Sequence, residues 1–159
     1  MNDKPTITLY TDGAASGNPG PGGYGAVLKC GDYEKELSGG FRLTTNNRME
    51  LTAVIEGLKA IKWKNADVTV VSDSTYVVKA INEGWLEKWK RTGFKKAKNP
   101  DLWLKFIDAA AGHNLTFNWV KGHAGHPYNE RCDALAVAAY KQDGLPQDSG
   151  YKANEETLI

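Results

Sequence analysis

The chain has 159 residues, 41% of them hydrophobic and 25% charged, which is the composition of one globular domain with its own core. Its formal net charge of +1 gives no sign of a nucleic-acid partner, and two cysteines argue against a disulfide scaffold or a cysteine-ligated metal site. Because the sequence shows no apolar signal segment and no long apolar run, we expect a cytoplasmic protein.

The first part of the chain predicts an antiparallel meander of three strands. Residues 7–12 alternate in the manner of a half-buried strand that ends in a carboxylate, Asp12. A Gly/Asn/Pro-rich turn leads into a second apolar strand over 24–28, and a more polar edge strand follows over 33–42.

The pattern then changes to the helical period. Apolar spacing predicts a helix over 47–62, with Asn47 and Glu50 as its capping box. Residues 68–73 form a short apolar run that is typical of a buried parallel strand, and Ser74 can cap the helix that follows.

The second half continues the alternation of helices and strands. A basic aromatic segment over 85–98 precedes a helix that starts near Pro100, and a last strand over 115–120 precedes a last helix. The order predicts one α/β domain over residues 1–143, with a mixed sheet and helices packed on its faces. Residues 144–159 are polar and predict a mobile tail.

Four carboxylates lie where these elements begin or end. Asp12 and Asp73 end predicted strands, and strand ends of an open α/β sheet are where ligands bind. Glu50 and Asp133 border the core-facing stripes of their helices. Clustered carboxylates repel one another unless a cation intervenes, and Mg²⁺ prefers such oxygen ligands. We therefore expect a metal site, although each acid alone also fits a cap, a strand terminator or a solvated position.

Two further stretches could bind a nucleic acid. Small residues over 15–23 and the polar run Thr44-Thr45-Asn46-Asn47 at a helix start allow close contact with phosphate, although plain turn and capping roles fit them equally well. Residues 88–98 hold six basic residues in eleven with no acid, and aromatic side chains interleave with them. The alternative is an amphipathic helix with solvated lysines, and we expect both descriptions to apply in part.

One loop offers a group for proton transfer. His123 lies between Gly122 and Gly125, and a histidine titrates close enough to neutral pH to exchange protons during catalysis. We expect this side chain to lie near the four carboxylates.

Several motifs occur in order along the chain. They are YTDG at 10–13, GNPGPGG at 17–23, TNNRME at 45–50, SDS at 72–74, VKGHAGHP at 120–127 and NERCD at 129–133. Together they resemble bacterial-type ribonuclease H, type 1, from about residue 6 to residue 141. The segment between Phe94 and Asp101 is shorter than in the best-known bacterial members, and Thr75 stands where glutamine is common.

The resemblance implies a fold, an activity and a set of site residues. The fold is the ribonuclease H-like five-stranded mixed sheet, an antiparallel meander followed by two parallel strands, with helices on both faces. The activity is endonucleolytic cleavage of the RNA strand of an RNA–DNA hybrid by a monomer with two Mg²⁺ ions, or Mn²⁺ as an alternative, giving 5′-phosphate and 3′-hydroxyl ends. The implied metal ligands and catalytic acids are Asp12, Glu50, Asp73 and Asp133, and His123 assists proton transfer or product release.

The implied substrate contacts form two groups. The first group, near the predicted metal site, is Asn18, Thr45, Asn46, Asn47 and Asn129. The second group, in the basic segment that resembles the family's grip on the DNA strand, is Trp85, Lys88, Trp89, Lys90, Arg91, Lys95 and Lys96. Two alternatives remain open at this point: a non-catalytic hybrid-binding module, and a DNA-cutting nuclease with the same sheet.

Overall fold

The computed structural model describes residues 4–94, 97–122 and 125–151. The strands are β1 (Thr6–Ala15), β2 (Gly20–Cys30), β3 (Tyr33–Thr44), β4 (Asp67–Ser72) and β5 (Asn114–Trp119). The helices are α1 (Asn46–Lys59), α2 (Thr75–Asn82), α3 (Trp85–Arg91), α4 (Pro100–Ala110) and α5 (Pro127–Tyr140). Across these described ranges, every helix is too short or too polar to traverse a bilayer.

The strands form one mixed sheet in the order β3-β2-β1-β4-β5, which confirms the predicted α/β fold. Strands β1 to β3 pair antiparallel, whereas β4 pairs parallel with β1 and β5 pairs parallel with β4. Alternate residues of β1 face opposite layers, as the period of a strand requires. Leu9 lies close to Gly57 of α1, and Tyr10 stacks on Tyr128 of α5 with ring centroids 4.5 Å apart. Helices therefore cover both faces.

Two local predictions need correction. Strand β1 does not end at Asp12 but continues to Ala15, because β2 still pairs with it beyond that point. The capping box is also wrong: Thr45 is the N-cap of α1, and its side chain accepts a hydrogen bond from the Arg48 amide at 3.3 Å. Glu50 is consequently free of a capping role.

The segment after α5 differs from the predicted mobile tail. Residues 144–151 run back along the end of β3, where the Arg42 amide donates to the Pro146 carbonyl at 2.9 Å. Asp148 is buried and accepts a hydrogen bond from Thr44 Oγ1 at 2.7 Å. Residues 152–159, the remainder of the predicted tail, lie outside the described residues.

Candidate metal centre and nucleic-acid interface

Asp12 and Asp73 become neighbours because of the way two parallel strands end. The ladder between β1 and β4 has its last pair at Thr11 and Ser72. Asp12 and Asp73 each follow that pair by one residue, so both carboxylates emerge at the same edge of the sheet, as the rule for open α/β sheets predicts. Strand β1 goes on beside β2 alone, with Asp12 opposite Gly25.

Glu50 reaches the same edge because α1 lies directly on β1. A Cβ atom at Gly13 would overlap the backbone nitrogen of Glu50 and atoms of Met49, so this close approach requires a glycine. The Gly13 amide donates to Glu50 Oε1. One carboxylate oxygen from each of Asp12, Glu50 and Asp73 lies within 4.8 Å of the other two. We call these three residues the carboxylate cluster.

Burial and repulsion from neighbouring carboxylates oppose ionisation of Asp12 and Glu50. Burial raises the pKa of Asp12 from its ordinary value of 3.8 to about 7, and the charge of Asp73 adds to this rise although a hydrogen bond with Glu50 opposes it. Burial and the charge of Asp12 likewise raise the pKa of Glu50 well above its usual range. A divalent cation would relieve both effects, and an all-oxygen donor set suits Mg²⁺, so the residues present fit such an ion.

The segment after β5 holds Asp73 from two sides. The Trp119 indole Nε1 donates to the Asp73 carbonyl at 3.0 Å. A Cβ atom at Gly122 would lie 2.7 Å from Asp73 Oδ2, so the absence of a side chain there lets the carboxylate take its position. Neither the role of Trp119 nor the contact made by Gly122 was predicted from the sequence. The only signal was that Trp119 shortly precedes the predicted proton-transfer loop and that Gly122 begins it.

The remaining predicted residues of this region have different outcomes. Asp133 is half-buried on α5 and close enough to Asp12 for its charge to raise the pKa of that group, but it lies outside the carboxylate cluster. Asn129 is buried, with 3% of its surface exposed, and its role as a substrate contact stays a prediction. His123 lies outside the described residues and its role stays a prediction.

Two loops beside the cluster are joined by asparagine side chains. Asn18 Oδ1 accepts from the Asn46 amide at 3.0 Å, and Asn46 Oδ1 accepts from the Ala15 amide at 2.7 Å. The turn between β1 and β2 is therefore tied to the start of α1. Both asparagines and Asn47 are exposed, and Thr45 is half-buried as the N-cap. The structure thus brings four of the five predicted substrate contacts of the first group together at the edge that carries Asp12: Asn18, Thr45, Asn46 and Asn47.

The basic segment is built on α3. Trp89 packs toward the core, with its ring centroid 5.6 Å from that of Trp103, whereas Trp85 is 37% exposed. Lys88, Lys90 and Arg91 are exposed, and Lys90 Nζ pairs with Glu87 at 3.2 Å. The description as an amphipathic helix applies, because one tryptophan anchors the helix and the basic groups face solvent, whereas binding of nucleic acid by this segment stays a prediction. Lys95 and Lys96 lie outside the described residues.

Comparison with known proteins identifies the family to which this chain belongs. The family model for RNase H matches residues 4–141. A curated ribonuclease H of Rippkaea orientalis is 56% identical over 158 residues, which cover 96% of each chain.

Solved structures lead to the same family. The crystal structure of LC9-RNase H1, a type 1 RNase H with the type 2 active-site motif, is similar with a TM-score of 0.81 at 31% identity, over 100% of this chain and 83% of that one. The structure of LC11-RNase H1 in complex with an RNA/DNA hybrid is similar with a TM-score of 0.63 at 30% identity, over 85% of this chain and 96% of that one.

Proposed function

Because this chain belongs to the ribonuclease H family and resembles its type 1 members, we propose that it cuts the RNA strand of RNA–DNA hybrids with two divalent cations, leaving 5′-phosphate and 3′-hydroxyl ends. The observation that carries the proposal is the carboxylate cluster at the edge of the sheet. A non-catalytic binding module would have no need of three acids held so close together, two of which, Asp12 and Glu50, are buried where ionisation is opposed.

The chain's own residues would hold the cations and the substrate. Asp12, Glu50 and Asp73 supply the oxygen ligands, and Asp133 adds a fourth acid from α5. When bound, two divalent cations supply activation of the attacking water and stabilisation of the leaving 3′-oxygen. His123 would assist proton transfer or product release from the loop that follows Gly122.

The RNA strand would lie over the joined loops, which are the turn between β1 and β2 and the start of α1 that Asn18 and Asn46 tie together. Asn18 and Asn46 use their side-chain oxygens to hold the loops together, and their Nδ2 groups would serve as donors to the RNA strand. Exposed Asn47 adds both a donor and an acceptor. This pair suits the 2′-hydroxyl of RNA, because a hydroxyl both donates and accepts hydrogen bonds. The 2′-hydroxyl is what distinguishes RNA from DNA at a given position, so these amides would select the strand that is cut.

The DNA strand would lie against α3. Lys88, Lys90 and Arg91 can neutralise phosphates, and Lys95 and Lys96 would extend the same charge. Exposed Trp85 offers an aromatic face to a sugar or base, while Trp89 fixes the helix to the core. In this arrangement α3 would bind the DNA strand while the carboxylate cluster acts on the RNA strand.

One assay tests the proposal directly. End-labelled RNA–DNA hybrid, RNA duplex and DNA duplex are each incubated with Mg²⁺, with Mn²⁺ or with a chelator. We expect cleavage of the RNA strand in the hybrid alone, lost with the chelator, and products that a ligase can rejoin because they carry 5′-phosphate and 3′-hydroxyl ends. Binding without cleavage in Mg²⁺ would favour a binding module, and cleavage of DNA duplex would favour a DNA nuclease. The cytoplasmic location and the monomeric state stay predictions.

A further inference from the structure

Arg48 of α1 is a buried cation whose whole guanidinium is bonded. Only 2% of the residue is exposed. Its Nε and Nη2 donate to Asp148 at 2.7 and 3.0 Å, and its Nη1 and Nη2 donate to Asp101 at 3.0 and 2.8 Å. The fifth donor bonds Asn99 Oδ1 at 3.2 Å. An arginine has five N–H donors, so all of them are used.

The residues bonded to Arg48 come from distant parts of the chain. Asp148 belongs to residues 144–151, a segment that lies beyond the 4–141 matched by the family model. Asp101 and Asn99 belong to the start of α4. A Cβ atom at Gly150 would overlap the Asp101 carboxylate and lie 2.9 Å from Arg48 Nη2, so the backbone of the C-terminal segment covers the ion pairs directly. We call Arg48, Asp101, Asp148 and Asn99 the arginine cluster.

Each end of the arginine cluster adjoins one of the two substrate surfaces. Asp148 also accepts from Thr44 Oγ1 at 2.7 Å, and Thr44 immediately precedes Thr45, the N-cap at the start of α1. At the other end, Asn99 follows Lys98, the last residue of the basic segment. Tyr76 completes this end, because its hydroxyl donates to the Lys98 carbonyl at 3.0 Å and accepts from Asn99 Nδ2 at 3.3 Å.

We propose that Arg48 and Asp148 are positioning residues. They hold the loops joined by Asn18 and Asn46 and the basic segment in fixed relative positions, so that the C-terminal segment is part of the scaffold that binds the hybrid. The inference rests on the proposed function, since it assigns one substrate strand to each surface. A buried ion pair is weak grounds for stability, because desolvation offsets most of its attraction, and fixing the relative placement of the elements it joins is the role that we assign to this one. Neither residue needs to touch the substrate.

The test is a double-mutant cycle between the arginine cluster and α3. The variants are Asp148→Asn, Lys88→Ala with Arg91→Ala, and all three together, measured for KM and kcat on an RNA–DNA hybrid in Mg²⁺. We expect Asp148→Asn to raise KM roughly five- to tenfold while kcat stays within about twofold. The factor by which loss of the α3 charges raises KM should be several-fold smaller in the Asp148→Asn background than in the wild type. If the ion pair served stability alone, the effects of the Asp148 and α3 changes on KM would be additive when expressed as free energies.

Two further variants make the result independent of folding. Val68→Ala, in the core at the opposite end of β4, serves as the control that lowers stability without touching the arginine cluster, and its effect should add to that of the α3 changes. Thr44→Val keeps the ion pairs but removes one bond to Asp148, and it should shift KM in the same direction by a smaller factor.

The outcomes separate this inference from the proposed function. If the wild-type chain fails to cut the hybrid, the proposed function is wrong. If the wild-type chain cuts it but Asp148→Asn and Thr44→Val leave KM unchanged, or if Asp148→Asn behaves like Val68→Ala and adds to the α3 changes, the positioning role is overturned while the proposed function stands.

Discussion

Asp12 is a buried acid of the carboxylate cluster whose charge is unfavourable without a cation. It is 5% exposed, and an asparagine in its place would keep the shape while removing one negative charge. We expect Asp12→Asn to lower kcat on the hybrid by on the order of 10³-fold or more, as loss of an essential active-site carboxylate does in other hydrolases. The measurement is single-turnover cleavage in Mg²⁺. Glu36→Gln, which breaks an exposed ion pair with Arg131, is the matched control and should cut normally. Near-normal cleavage by Asp12→Asn would remove the cluster from the mechanism.

The same substitution should change how stability depends on pH. The folded protein raises the pKa of Asp12 to about 7 through burial, so this group contributes stability that is present below its ordinary pKa of 3.8 and is lost as the pH rises through about 7. We therefore expect metal-free Asp12→Asn to melt above the wild type by several degrees at pH 8, since each kcal/mol corresponds to roughly 2–4 °C in a domain of this size. Near pH 4 the two melting temperatures should converge.

Melting curves of both proteins from pH 4 to pH 8 in chelator give the comparison. A saturating divalent cation should narrow the gap at pH 8, because it stabilises the wild-type cluster and binds the variant less well. A gap that stays constant across the whole pH range would mean that Asp12 titrates normally in the folded protein.

At the scale of elements, the sequence rules succeeded in placing two acids at one edge of the sheet, although β1 runs on to Ala15, and they failed to show where backbones lie in contact. The edge rule for open sheets placed Asp12 beside Asp73, as found. It could not show that Gly13 lets α1 lie on β1, since the same glycine is ordinary in a hairpin turn. The Asn-x-x-Glu spacing suggested a cap because local spacing carries no information on the partner that Glu50 finds in Gly13, far away along the chain.

The helix α3 carries the prediction for this scale. We expect Lys88→Ala with Arg91→Ala to raise KM for the hybrid about tenfold or more while kcat changes little, because both groups are exposed and belong to an element apart from the cluster. Losing two phosphate contacts should also lower the magnitude of the slope of log affinity against log salt concentration by up to about 2. Filter binding to a hybrid in chelator at several salt concentrations measures the slope.

The chain offers a charge-matched control for α3. Lys62 and Lys64 are exposed between α1 and β4, at the opposite end of the sheet from Asp73, so replacing both by alanine removes the same charge from a distant site. This control should leave the salt slope nearly unchanged. If both pairs change the slope equally, α3 acts only through net charge.

For the whole molecule, the part that sequence reasoning missed is the return of the chain after α5. Residues 144–151 are polar and lack periodicity, which is typical of a tail, yet Asp148 is buried against Arg48. A signal existed elsewhere: Arg48 lies three residues before Leu51 and seven before Ile55, so helical spacing puts a guanidinium on the buried stripe of α1. A buried arginine needs acidic partners, but spacing alone cannot say which of the chain's acids supply them.

Substrate choice is a property of the whole molecule, because two surfaces and the carboxylate cluster must engage one duplex together. Under the proposed function, the loops joined by Asn18 and Asn46 would face the strand with 2′-hydroxyls, and α3 would face the strand without them. We expect no detectable cleavage of DNA duplex. A duplex with a single ribonucleotide should be cut poorly, since it offers too few hydroxyls to the loops, and a run of about four or more should restore cutting, since each hydroxyl read contributes to recognition. The measurement compares cleavage rates on otherwise identical duplexes that carry one, two, four or six ribonucleotides in one strand, with the all-RNA strand as reference. Efficient cutting at the lone ribonucleotide would mean that recognition depends on one hydroxyl at the cluster and that the joined loops do not read the strand.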